Sequence, residues 1–148
     1  MKVMIEEIRN IDDTEVYIKC KSRDELVERI VAQIKLLDIK IIGKINERIF
    51  QIAPYEIYYF ESVDNKVFAY SESKEYETNY KLYELENLLP DASFMRVNKN
   101  TILNISKIQS FGASINGRMN ARLKNHEEVV VSRTYMFALK KLLGGLKK

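Results

Sequence analysis

From Arg48 onward, β-branched, aromatic and aliphatic residues come in runs of six or seven, each cut off by a turn former. RIFQIA stops at Pro54, which has no N–H for a ladder. EIYYFES runs into Ser62-Val63-Asp64-Asn65, KVFAYSE returns from it, and KEYETN makes a further candidate strand. KIQSFGASI and RMNARLK flank Asn116-Gly117, a strong short hairpin signal, and EEVVVSR follows across Lys124-Asn125-His126. The pattern therefore predicts a mainly β domain, α+β overall. Two helical patterns interrupt it. YKLYELENLL is capped by Thr78 or Asn79, turns Leu82, Leu85, Leu88 and Leu89 to the core, and stops at Pro90. The last helix runs from about Thr134 through YMFALKKLL to Gly144-Gly145.

The first 47 residues read differently, as a β-α-β extension. VMIEEI and TEVYIKC look like strands on either side of Asn10-Ile11-Asp12-Asp13. Ser22 and Glu25 have the spacing of a capping box. Leu26, Ile30, Ile34 and Leu37 then recur at helical spacing, flanked by Val27 and Val31, to an end near Asp38. IKIIGKI returns as a strand, with Gly43 marking a bulge or turn. The expected division is an extension over 1–47 and a β domain over 48–148. The apolar face of the helix from Ser22 to Leu37 either covers that domain or meets a partner, as a dimer contact or an inhibitor dock.

A chain of 148 residues with 46% hydrophobic content supports one packed domain with a small appended piece. No stretch approaches the ~18 apolar residues of a membrane span, so no direct membrane insertion is expected. MKVMIEEIRN is too acidic for a signal peptide. The single cysteine, Cys20, allows no intrachain disulfide and suits a cytoplasmic protein; it reads as a buried or inert thiol. One cysteine and one histidine, His126, do not assemble a common zinc site. No glycine-rich phosphate loop or nucleophile elbow is present. Glu127 and Glu128 are neighbours on an expected strand, where successive side chains point to opposite faces. Neither an enzyme nor a cofactor is expected. Charge is more informative. Residues 1–90 carry 13 Lys and Arg against 18 Asp and Glu, whereas residues 91–148 carry 11 against three. A basic half of this kind suits a polyanion, because clustered cations displace counterions from phosphates. It also suits a solvated basic surface.

Four stretches occur in order: YYFESVDNK (58–66), YKLYELENLLP (80–90), FMRVNKNTILNISKI (94–108) and VVVSRTYMFALKKLL (129–143). Together they resemble the LytTR family of bacterial DNA-binding domains, over about residues 48–145. The resemblance implies stacked short β-sheets with small flanking helices, and loops between strands that enter successive major grooves of double-stranded DNA. It places Asn98-Lys99-Asn100 on the DNA side, with Lys99 facing a base or phosphate. It matches Arg133 to a major-groove arginine and the turn Asp64-Asn65-Lys66-Val67 to a third contacting loop. Here Val67 has only an apolar contact to offer, such as a thymine methyl. Asn98 and Asn100 depart from the usual histidine and serine.

The residue chemistry suits those assignments. Arginine grips guanine O6 and N7 with two N–H groups, asparagine does the same with adenine, and lysine serves phosphate or guanine. Asn98 and Asn100 either read bases or bond their own backbone. Arg96 braces the loop or meets a phosphate. Lys107, Arg118, Arg122 and Lys124 are candidates for phosphate alone. Tyr58, Tyr59 and Phe60 are expected in packing. The resemblance implies a transcription regulator working as a homodimer. The extension is too short for a receiver domain, and some stand-alone members are restrained by a membrane-bound inhibitory protein. The alternatives are an RNA-binding module, which would favour single strands, and a protein-interaction module with a basic face.

Overall fold

The structure, a computed structural model, describes residues 1–113 and 118–143. Helix α1 (Glu25–Leu36) is followed by β1 (Ile41–Ile45), β2 (Arg48–Ile52), β3 (Tyr59–Val63), β4 (Lys66–Tyr70) and β5 (Glu75–Thr78). Then come α2 (Leu82–Leu88), β6 (Phe94–Asn98), β7 (Thr101–Asn104), β8 (Ile108–Ala113), β9 (Met119–Leu123), β10 (Glu128–Val131) and α3 (Arg133–Leu142). The strands form two antiparallel sheets, ordered β2-β1-β5-β4-β3-β7-β6 and β10-β9-β8. The mainly β expectation holds.

Strand β7 explains how the layers join. All four of its residues are buried. Ile102 packs with Phe60, Leu85, Leu89 and Phe94 in one apolar cluster, whereas Leu103 packs with Val97, Leu123, Val131 and Leu139 in the other. Successive side chains of a strand point to opposite faces. The larger sheet is therefore clad on one face by α2 and on the other by the smaller sheet and α3. Within β3 the same alternation holds: Phe60 is fully buried in the first cluster and Tyr59 packs against the second, where Tyr58, just ahead of the strand, is also buried. The Tyr59 ring stacks on Tyr70 at 4.5 Å, and its hydroxyl donates to Glu127 at 2.8 Å. Burial, then that carboxylate, hold the Tyr59 hydroxyl well above its usual pKa. Burial and Glu61 push Tyr70 up to about 12.

Several local expectations change. VMIEEI and TEVYIKC form no strands; residues 1–24 are exposed throughout, Cys20 among them, so the thiol is not buried. Both runs lack a ladder partner, and period-2 patterning alone cannot supply one. Asp24, not Ser22, caps α1, accepting from the Val27 N–H at 3.0 Å. A carboxylate caps as well as a hydroxyl and also favours the positive end of the helix. The buried positions of α1 are Ala32 and Leu36, while Leu26 and Leu37 stay exposed. Gly43 is no bulge: it lies in register opposite Phe50. A Cβ there would come within 2.7 Å of Tyr76 Cβ, so the glycine permits close packing. Thr78 belongs to β5, donating to the Val67 carbonyl at 2.7 Å. Lys81 caps α2, its N–H donating to Glu84 at 2.8 Å, and Leu88 is exposed. The Asn116-Gly117 turn and the Gly144-Gly145 stop lie outside the described residues.

Candidate nucleic-acid interface

Two turns and a helix start meet at one end of the sheets. The first turn joins β3 to β4. Val63 pairs with Lys66, leaving the two-residue loop Asp64-Asn65, both at positive φ (51° and 65°). This is the loop whose twist matches an antiparallel pair, and Asp and Asn tolerate it better than branched residues do. The second turn, Lys99-Asn100, joins β6 to β7. The third element is the first turn of α3, which begins at Arg133 after Ser132.

Backbone and amide bonds tie the three together. The Ser62 N–H donates to the Asn100 carbonyl at 2.8 Å, setting the first turn beside the second. The Ser132 N–H donates to the Val97 carbonyl at 2.9 Å, setting the start of α3 beside the end of β6. Asn98 completes the link: its Nδ2 donates to the Val130 carbonyl at 2.8 Å, and its Oδ1 accepts from the Asn100 N–H at 2.9 Å. Arg96 adds a brace. Its guanidinium donates to the Lys99 carbonyl at 3.1 Å and pairs with Glu86 at 2.9 Å. Lys99, Asn100 and Arg133 are exposed at this braced end. Among the described residues, their side chains have no ion-pair or hydrogen-bonding partner within the chain.

The residues singled out from the sequence thus separate by role, and two are reassigned. Val67 is 4% exposed and packs in the first apolar cluster, so it offers no methyl contact to a ligand. The Asn98 amide is committed on both sides to backbone groups, which leaves it a brace instead of a reader. Asn65 is exposed at its loop tip; Lys66 is exposed too, with a loose ion pair to Glu77 at 3.5 Å. The outlying cations divide between the two ends of the smaller sheet. Arg118 directly precedes Met119, which pairs with Val131, so it lies at the same end as Arg133. Arg122 pairs with Glu128 at 2.9 Å, and Lys124 lies beyond it towards the opposite end. Lys107 sits over the Tyr58 ring at 4.9 Å, and its carbonyl accepts from the Lys124 N–H. Sequence reasoning missed Glu86 and the Ser132–Val97 bond, because neither pairing leaves a short-range signal.

The family model of the LytTr DNA-binding domain matches residues 47–144. The chain belongs to the LytTR family. This LytTR chain is 39% identical to the sensory transduction protein LytT of Bacillus anthracis over 104 residues, 70% of this chain and 42% of that one. It therefore spans under half the length of that relative. It is 28% identical over 138 residues to an uncharacterised HTH-type transcriptional regulator of Staphylococcus aureus, covering 90% of this chain and 93% of that one. A solved LytTr DNA-binding domain, of a putative methyl-accepting/DNA response regulator from Bacillus cereus, superposes with a TM-score of 0.67 at 28% identity. That match covers 71% of this chain and 96% of the other. No described helix is long and apolar enough to cross a membrane.

The brace yields a test. Asn98→Ala removes two bonds and leaves the Val130 carbonyl and the Asn100 N–H without their partner. A loss of about 1–3 kcal/mol of stability is expected in urea unfolding. Backbone amide exchange should quicken at Asn100 while β4 and β5 keep their protection.

Proposed function

We propose that this chain is a sequence-specific, double-stranded DNA-binding transcription regulator. Arg133 and Asn100 read base edges in the major groove, Lys99 grips phosphate or guanine, and Asn65 and Lys66 form the third contact. Arg96 and Asn98 hold the loops in place. The observation that supports this most is the convergence on one end of Lys99, Asn100 and Arg133, whose side chains have no partner among the described residues. Bonds from Ser62, Asn98 and Ser132 fix that end. Groups held in advance lose little entropy on binding. The family match beginning at residue 47 supports 48–148 as the DNA-binding unit, with 1–47 as a dimer or regulatory segment; β1 pairs with β2 across that boundary. The proposal includes two copies per site, a cytoplasmic setting without catalysis, and control by a membrane-bound inhibitory protein.

Selection of bound sites from a random duplex library tests it and returns the motif. On the selected site, each phosphate contact should add about −0.9 to the slope of log affinity against log salt. Preference for single-stranded RNA over every duplex would establish the RNA-binding reading. No nucleic-acid binding at low salt, with a stable protein complex, would establish the interaction module.

A further inference from the structure

Ahead of α1 lies an exposed arm that joins no ladder and is self-complementary. Residues 13–21 read Asp-Thr-Glu-Val-Tyr-Ile-Lys-Cys-Lys. They are exposed, with Val16 at 57% and Tyr17 at 82%, and among the described residues their backbone makes no hydrogen bond to the rest of the chain. The Tyr17 hydroxyl donates to Glu15, two residues away, at 3.0 Å, the same-face neighbour of an extended strand. A segment with unpaired backbone groups and exposed apolar side chains can add to another segment as a strand.

We propose that this arm pairs with the same arm of a second copy, antiparallel about a two-fold axis at Tyr17. That register sets Asp13 opposite Lys21 of the other copy, Glu15 opposite Lys19, Thr14 opposite Cys20, Val16 opposite Ile18, and Tyr17 opposite itself. Each pair of unlike residues occurs twice, as a two-fold interface requires. Acidic residues occupy one end of the arm and basic residues the other, so every charged pair in this register has opposite signs. Thr14, Val16, Ile18 and Cys20 share one face, and Asp13, Glu15, Tyr17, Lys19 and Lys21 share the other. The preceding residues add area. Val3, Met4, Ile5 and Ile8 are exposed, at 80%, 81%, 88% and 47%. With Val16, Tyr17 and Ile18 they offer seven large side chains. The arm thus supplies the contact for the two-copy reading above and rests on it, yet its test needs no DNA.

The test is cysteine crosslinking in the full-length chain. Thr14→Cys sets a thiol directly opposite Cys20 of the other copy, within disulfide reach. Mild oxidation should convert most of the protein to a species of doubled mass on a non-reducing gel. Tyr17→Cys combined with Cys20→Ser should do the same through one bond on the axis. Glu15→Cys places its thiol on the opposite face from Cys20 and should crosslink little. In sedimentation, Glu15→Lys should raise the dimer dissociation constant roughly tenfold, and Glu15→Lys with Lys19→Glu should restore it. Equal crosslinking at positions 14 and 15, a monomer at all concentrations, or no rescue by the charge swap would overturn the proposal. DNA binding measured on the same variants separates failure of the arm from failure of the DNA-binding reading.

Discussion

Arg133→Ala is expected to lower affinity for a selected duplex by about 1–3 kcal/mol, roughly 5- to 150-fold, while binding to unrelated DNA falls much less. The guanidinium starts α3, whose first turn is fixed to β6 through Ser132 and Val97. Among the described residues no carboxylate pairs with it. Its donors are therefore open to a ligand in a restricted position. Arg133→Lys sharpens the test. Lysine keeps the charge but loses the planar fork, so a base reader should lose specificity and a phosphate contact should not. Fluorescence anisotropy on the selected and a scrambled duplex, across salt, gives both quantities. If Arg133→Ala preserves the ratio of the two affinities, the residue grips the backbone and Asn100 becomes the candidate reader.

That prediction was available from the sequence, but its geometry was not. Turn chemistry is local, so Asp64-Asn65 and Lys124-Asn125-His126 were legible from residue types alone. Positive φ at Asp64, Asn65 and His126 is what Asp, Asn and His tolerate best among residues with side chains. The strands from Arg48 onward were legible because their alternation has to match two apolar layers. Val67 was misassigned for the opposite reason. A loop tip and the first inward residue of a strand lie next to each other in sequence, and only the pairing of Ser62 with Val67 decides which way the side chain turns. Asn98 needed a partner 32 residues away, the Val130 carbonyl. Charge partition misled in part. Residues 91–148 are basic overall, but Arg118 and Lys124 flank β9 at opposite ends, so composition overstated the size of a single basic face.

The second large effect concerns stability. Leu103→Ala should cost about 2–5 kcal/mol, because the side chain is fully buried and its neighbours Val97, Leu123, Val131 and Leu139 belong to separate elements that cannot all close the gap. Leu103 sits on the strand that both clusters share, next to Ile102, which faces the other one. The two layers are therefore expected to unfold together. Urea or thermal melts of Leu103→Ala should show one transition, shifted down, by far-ultraviolet dichroism and tyrosine fluorescence alike. Ile102→Ala should shift the same transition from the opposite face. Two separated transitions, with the β8–β10 layer melting first, would mean that β7 does not couple the layers. Arg133 would then be held by a unit that opens independently of the larger sheet, and the Leu103 variant would lose DNA affinity at temperatures where the larger sheet is still intact. With a single transition, DNA affinity and the folded fraction fall together.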